Sequence, residues 1–228
     1  AHQLKTPLAG LRMQAELARR EGGSAADLKE SLEQIGRASV RATHTVNQLL
    51  ALARAETTDR SLPTAPVDLA RLVTGVVQDS VPRAFDKRID LGYEGPETVP
   101  EACVLQGNPT LLQELVRNLV DNAINYTPTG GVVTARVLVD RFSGVVVVQV
   151  EDNGPGVPEN EREFVVQPFY RALGTNVEGS GLGLAIVHEI AQQHGATLRM
   201  EDTHPQGGPS KGLRVSVSFT AERTEDGE

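Results

Sequence analysis

The sequence predicts an α+β protein: a helical hairpin that builds a four-helix bundle across a dimer, followed by an α/β sandwich. Three observations carry this reading. Two apolar stripes at helical spacing flank a glycine turn near the start of the chain, the periodicity later switches to the two-residue repeat of strands, and the glycines cluster late, between strand-like and helix-like segments.

In chain order, Leu4, Leu8, Leu11 and Ala15 recur at four- and three-residue intervals and make one face of an amphipathic helix. Glu21-Gly22-Gly23-Ser24 stops it and turns the chain. A second helix follows from about Ala26 to Ala55, with Leu28, Leu32, Ile35, Ala42, Val46 and Leu49 near heptad spacing. The short turn makes the pair antiparallel. Each stripe is wider than a single partner covers, so a homodimer is expected for residues 1–57. Residues 58–66, polar and proline-bearing up to Pro66, read as a linker. Residues 67–222 form the second domain, and residues 223–228 a disordered tail.

Within that domain Leu69–Ser80 reads as helix, Ile89–Tyr93 as a short strand, and Thr110–Tyr126 as a strongly amphipathic helix. Val132–Asp140 and Val145–Glu151, joined at Ser143-Gly144, read as a β-hairpin. A glycine-rich region runs from Gly154 to Gly183, then a helix to about His194, then strands near Thr197–Met200 and Leu213–Phe219. Helices mixed with largely antiparallel strands place the helices on one face of a sheet.

Composition narrows the function classes. Of 228 residues, 39% are hydrophobic and 23% charged, enough apolar material for a core. A formal net charge of -8 without basic runs argues against nucleic acid or an anionic membrane as the main partner. Cys103 stands alone, which excludes a disulfide framework or a cysteine-built zinc site and fits a reducing cytoplasm. No apolar stretch approaches the roughly 20 residues of a membrane span. The chain opens without Met inside a helical pattern, so it is expected to be the cytoplasmic fragment of a membrane-anchored parent.

Three segments of the second domain suggest a ligand. Glu114, Asn118 and Asn122 repeat every four residues and form an oxygen-rich stripe beside the apolar face of Leu112, Leu115, Leu119 and Ala123. Such a stripe suits Mg²⁺, although a solvated helix flank has the same pattern. Glu151-Asp152-Asn153-Gly154-Pro155-Gly156 follows a valine-rich strand. An acid there can accept from an adenine amino group while glycines let the backbone approach, but the string is also good turn chemistry. Gly179-Ser180-Gly181-Leu182-Gly183 opens the helix that runs to about His194, where free amides make an anion site. No hydrophobic parallel strand leads into these glycines, which excludes a dinucleotide-binding Rossmann unit.

The order of these segments resembles the ATPase superfamily of histidine kinases, type II topoisomerases, mismatch-repair ATPases and heat-shock chaperones. Asn118-Leu-Val-Asp-Asn122 is similar to its N box, Asp152-Asn-Gly-Pro-Gly156 to its G1 box, and Gly179-Ser-Gly-Leu-Gly183 to its G2 box. Pro168-Phe169-Tyr170-Arg171 resembles the F box of histidine kinases specifically. The resemblance implies ATP as substrate, Mg²⁺ on Asn122, adenine on Asp152, and a catalytic role for Glu114. It further implies nucleotide contacts from Asn118, Asn125, Tyr126, Gly154, Gly156, Arg171, Gly179, Gly181, Leu182 and Gly183. The family often has Lys where Asn125 stands, so one expected cation near the phosphates is missing.

His2-Gln3-Leu4-Lys5-Thr6-Pro7-Leu8 resembles the phosphoacceptor H box. Helix geometry puts His2 about 150° from the centre of the first apolar stripe, facing outward, where a neutral ring nitrogen can attack phosphorus. Gln3 replaces the usual acid; an amide orients the imidazole but does not act as a base. Thr6 matches the position that family members use to dephosphorylate their partner. The expected function is a sensor protein-histidine kinase that phosphorylates His2 and passes the phosphate to an aspartate of a response regulator. The competing readings are a nucleotide-binding dimerisation module with impaired activity and a clamp-type ATPase. His44, His188, His194 and His204 lack metal-ligand spacing and read as surface or helix-flank residues.

Overall fold

A computed structural model of the chain describes residues 32, 36, 63–171, 180–204 and 211–221. The chain divides into two compact units, Ala1–Ala53 and Arg54–Glu228. In the first unit Leu32 and Gly36 are helical. The rest of the expected hairpin, with His2, Gln3 and Thr6, lies outside the described residues.

The second unit opens with strand β1 (Ala65–Val67), and helix α1 (Leu69–Asp86) follows. β1 begins inside the stretch expected to be linker up to Pro66. It pairs antiparallel with a second three-residue strand, β3 (Leu105–Gly107), through Ala65↔Gly107, Pro66↔Gln106 and Val67↔Leu105. Asp68 caps α1, its Oδ1 accepting from the amides of Ala70 (2.9 Å) and Arg71 (3.2 Å). The helix continues past Ser80 with Pro82 inside it. Proline removes one intrahelical bond, but Ala84 beyond it is buried, and that packing carries the helix another turn.

Strand β2 (Asp90–Glu94) and β3 precede α2 (Pro109–Tyr126); β4 (Val132–Asp140) and β5 (Val145–Asp152) then form the expected hairpin. Helix α3 (Gly183–Gln193) is followed by β6 (Thr197–Glu201) and β7 (Leu213–Thr220). The five-stranded sheet runs β2-β4-β5-β7-β6. It is antiparallel except for the β2–β4 pair. Strand alternation sends Val133, Ala135 and Val137 of β4, Val146, Val148 and Val150 of β5, and Val215, Val217 and Phe219 of β7 to one buried face. The helices cover that face, with Leu112, Leu115 and Leu119 of α2 and Ile186 and Ile190 of α3 in the core. Among the described residues no element covers the other face, so the second unit is an α/β sandwich of two layers.

Candidate nucleotide-binding site

Strand alternation decides which of the two adjacent acids faces the interior. Glu151 points to the open face, where its Oε2 accepts from Arg136 (2.8 Å) and Arg214 (2.9 Å), and Arg136 also pairs with Glu94. Asp152 points inward and is buried to 5% exposure. Its Oδ1 accepts from the amides of Gly154 (2.8 Å) and Leu213 (3.3 Å). Among the described residues nothing donates to its Oδ2. Burial pushes this carboxyl up to about 6, against the lowering effect of those two amides. A buried acid with one oxygen held and the other unclaimed is a poor stabiliser and a good receptor for an amino group.

The backbone beyond Asp152 is forced close to α2. A side chain on Gly154 would begin 2.9 Å from the Tyr126 carbonyl oxygen and 2.9 Å from Asp152 Oδ1. Glycine is therefore required where the loop passes the end of the helix. Gly156 follows, packed against the backbone of Gly212.

On α2 the polar stripe is half-ordered by its own contacts. Asn118, buried at 5% exposure, donates through Nδ2 to the Glu114 carbonyl (2.8 Å) and to Glu114 Oε1 (3.2 Å). This turns its oxygen outward, and Oδ1 sits 3.5 Å from where a side chain on Gly183 would start. Asn122 lies one turn on, partly exposed, as do Asn125 and Tyr126. The N-box stripe and the glycine turn, with Asn118 and Gly183 65 residues apart in sequence, thus share one wall.

The turn itself is pinned by the F box. Gly181 adopts φ 70°, and a side chain there would meet Phe169 and Tyr170 backbone atoms at 2.8 Å. Its carbonyl accepts from the Phe169 amide at 2.8 Å, and Phe169 itself holds φ 69°. Positive φ in a bulky residue is strained and survives only where surroundings impose it. Tyr170 stacks on Phe164, ring centroids 5.7 Å apart, and donates to Glu161. Arg171 follows, exposed. Leu182 is fully buried at the N-cap of α3, and no side chain caps that helix among the described residues. Gly179 lies outside the described residues.

Two groups that lack site spacing in sequence prove to be part of the frame. Lys87, just past α1, donates to the carbonyls of Ile124 (2.8 Å) and Asn125 (2.6 Å) at the end of α2. Burial, with Arg83 nearby, lowers its pKa. His194 is not a surface residue: it is half-buried, its Nδ1 donating to the Ile190 carbonyl (2.8 Å) and its Nε2 accepting from the Asn108 amide (3.1 Å). It joins the end of α3 to the start of α2, a place that nothing in local sequence marks.

The family pattern described as the histidine kinase-, DNA gyrase B-, and HSP90-like ATPase matches residues 107–223, and the His Kinase A (phospho-acceptor) domain matches residues 1–58. Sensor protein QseC of Salmonella typhi is 37% identical over 198 residues, 87% of this chain and 42% of the relative. Sensor protein kinase PmrB of Pseudomonas aeruginosa is 36% identical over 218 residues, 95% of this chain and 43% of the relative. The solved mycobacterial sensor histidine kinase MprB superposes with a TM-score of 0.57 at 30% identity, covering 69% of this chain and 97% of that one. The chain spans about two fifths of the length of these curated relatives. A buried acid after a strand, an asparagine stripe on a glycine turn and a phosphoacceptor pattern ahead of them coincide in one chain, which belongs to the histidine kinase-, DNA gyrase B- and HSP90-like ATPase family and, within it, to the sensor histidine kinases.

Proposed function

We propose that this chain is the ATP-dependent core of a sensor kinase that phosphorylates its own His2. The observations that carry the reading are the wall shared by Asn118 and Gly183 and the buried carboxyl of Asp152. One side offers an acceptor for the adenine amino group, and the other offers uncapped helix amides for phosphate. Asp152 Oδ2 accepts from the base, and the turn at Gly181–Gly183 receives the phosphates with Leu182 packing beneath. Tyr126 and Arg171 add contacts to the bound nucleotide.

Mg²⁺ fits the donor set. Asn122 extends an oxygen-bearing row of Glu114 and Asn118, and a metal that keeps water and phosphate ligands needs few protein oxygens. When bound, it would neutralise charge on the triphosphate, with Asn122 as its protein ligand. Glu114 orients Asn118 and, through it, the row.

His2 supplies a ring nitrogen: a nitrogen–phosphorus bond forms, the bond to the ADP oxygen breaks, and ADP leaves. Gln3 orients the imidazole by hydrogen bonding. The phosphate passes to an aspartate on a response regulator receiver domain, and Thr6 supports the reverse removal of phosphate from that partner. Residues 1–57 pair in a homodimer, and the parent protein is membrane-anchored with this core on the cytoplasmic side.

The test uses γ-labelled ATP with magnesium. Wild-type protein is expected to acquire acid-labile, base-stable label, and His2→Ala none. Label that persists in His2→Ala would identify another acceptor. Bound ATP without label would favour a signalling module impaired by Gln3.

A further inference from the structure

The chain enters the second unit over a very small structure. β1 and β3 form a separate two-stranded sheet of three residues each, with Pro66 in the middle of β1. So short a ladder, missing one amide, frays unless something else holds it. At one end the paired Val67 and Leu105 are buried. At the other, where Ala65 pairs with Gly107, stand Asn108 and His194. His194 Nε2 accepts from the Asn108 amide, and a side chain on Gly107 would begin 2.9 Å from its ring Cδ2. The end of α3 thus seals the turn between β3 and α2.

Asn108 does one thing that capping does not require. Its Oδ1 caps α2 by accepting from the Leu111 amide, a task that an aspartate performs equally well. Its Nδ2 donates to the Pro63 carbonyl at 3.2 Å, ahead of β1 and inside the stretch read from sequence as linker. Pro63 is exposed, and a hydrogen bond to an exposed carbonyl adds little to stability. It does shorten the free chain, which ends at Pro63 with the bond and at Ala65 without it.

We propose that Asn108 is a positioning residue for the phosphorylation of His2. Its amide tethers the linker at Pro63 and so limits the length and direction of the chain that brings His2 to the nucleotide. Asn108 acts through the linker and touches neither reacting group. A shorter, directed tether raises the effective concentration of one group at the other. This rests on the kinase reading above.

The test compares Asn108→Asp, which keeps the cap and removes the donor, with Asn108→Ala, which removes both. On the 228-residue chain, the rate of His2 labelling at saturating γ-labelled ATP with magnesium is measured beside ATP affinity, urea unfolding and hydrogen exchange of the Ala65 and Val67 amides. Both variants are expected to label His2 roughly threefold more slowly than wild type, to exchange β1 faster and to bind ATP as wild type does. Only Asn108→Ala should lose stability. An Asn108→Asp protein that labels at the wild-type rate, or labelling that falls in step with stability across the two variants, would overturn the proposal and leave Asn108 a cap. A wild type that binds ATP but takes up no label would overturn the kinase reading and this role with it, a distinguishable result.

Discussion

Helices α2 and α3 stand side by side in this domain, yet they begin in opposite ways. The start of α2 is internally complete. Asn108 Oδ1 accepts from the Leu111 amide at 3.0 Å, its Nδ2 donates to the Pro63 carbonyl, its own amide is taken by His194, and Pro109 needs no partner. The start of α3 has a buried leucine where a cap would stand, and glycines lead into it. The sequence spends its capping chemistry on α2 and withholds it from α3, the helix that faces the nucleotide in the function proposed above. Asp152 follows the same logic, because it is a buried acid whose second oxygen finds no donor among the described residues.

From this contrast, changes on the ligand side should remove binding while sparing the fold, and changes on the support side should do the reverse. The largest effect is expected from Gly181→Ala. Both the positive φ and the 2.8 Å approach to the Phe169 and Tyr170 backbone oppose a side chain. ATP affinity should drop about a hundredfold or more, with far-UV circular dichroism unchanged.

Asp152→Asn should separate the two properties most sharply. The folded carboxyl sits at about 6 against an ordinary aspartate value of 3.8. The native state therefore binds the proton more tightly than the unfolded chain, and stability without nucleotide falls as pH rises between those two values. Removing the charge should stabilise the free domain at pH 7 by on the order of 2–3 kcal/mol. The same variant should lose nucleotide. In wild type, ATP affinity should weaken as pH drops through about 6, because the proton occupies the acceptor. Thermal melts and calorimetry at pH 5.5 and 7.5 check both arms, and an Asp152→Asn protein that binds ATP normally would break the comparison.

On the support side, Asn108→Ala should lower stability by about 1 kcal/mol in urea unfolding, as loss of an N-cap does. ATP affinity of the folded fraction should not change. The smallest effect concerns His194, whose pKa burial lowers. Its native ring must stay neutral to accept from Asn108, so its contribution is present above the ordinary histidine pKa and is lost as pH falls. With Asp152→Asn as background, stability should decline on acidification by under about 1 kcal/mol, one hydrogen bond's worth. His194→Ala should flatten that slope.

Much of the site was legible because its features are local. The glycines of both turns, the acid after a strand and the four-residue amide repeat are each dictated by backbone approach or helix periodicity within a few residues. The β4–β5 hairpin was equally clear, two valine-rich runs joined at Ser143-Gly144. Features that depend on distant partners were not legible. Ala65–Val67 contains a proline and looks like linker until Leu105–Gly107 supplies the other strand. Pro82 reads as a helix stop, and only the burial of Ala84 carries α1 beyond it. Arg83 and His194 carry no motif, and their meaning comes from residues 42 and 86 positions away in the chain.

Glu151 and Asp152 are neighbours with opposite fates, one tied into a network of arginines and the other buried and proposed to receive a base. Their assignment depends on parity alone. Slide β5 by one residue against Leu213–Thr220 and the two acids exchange faces, whereas a slide of two restores the order. A single codon inserted into the strand would thus disable the pocket more surely than many substitutions in it, while a pair of codons would leave the inward acid inward.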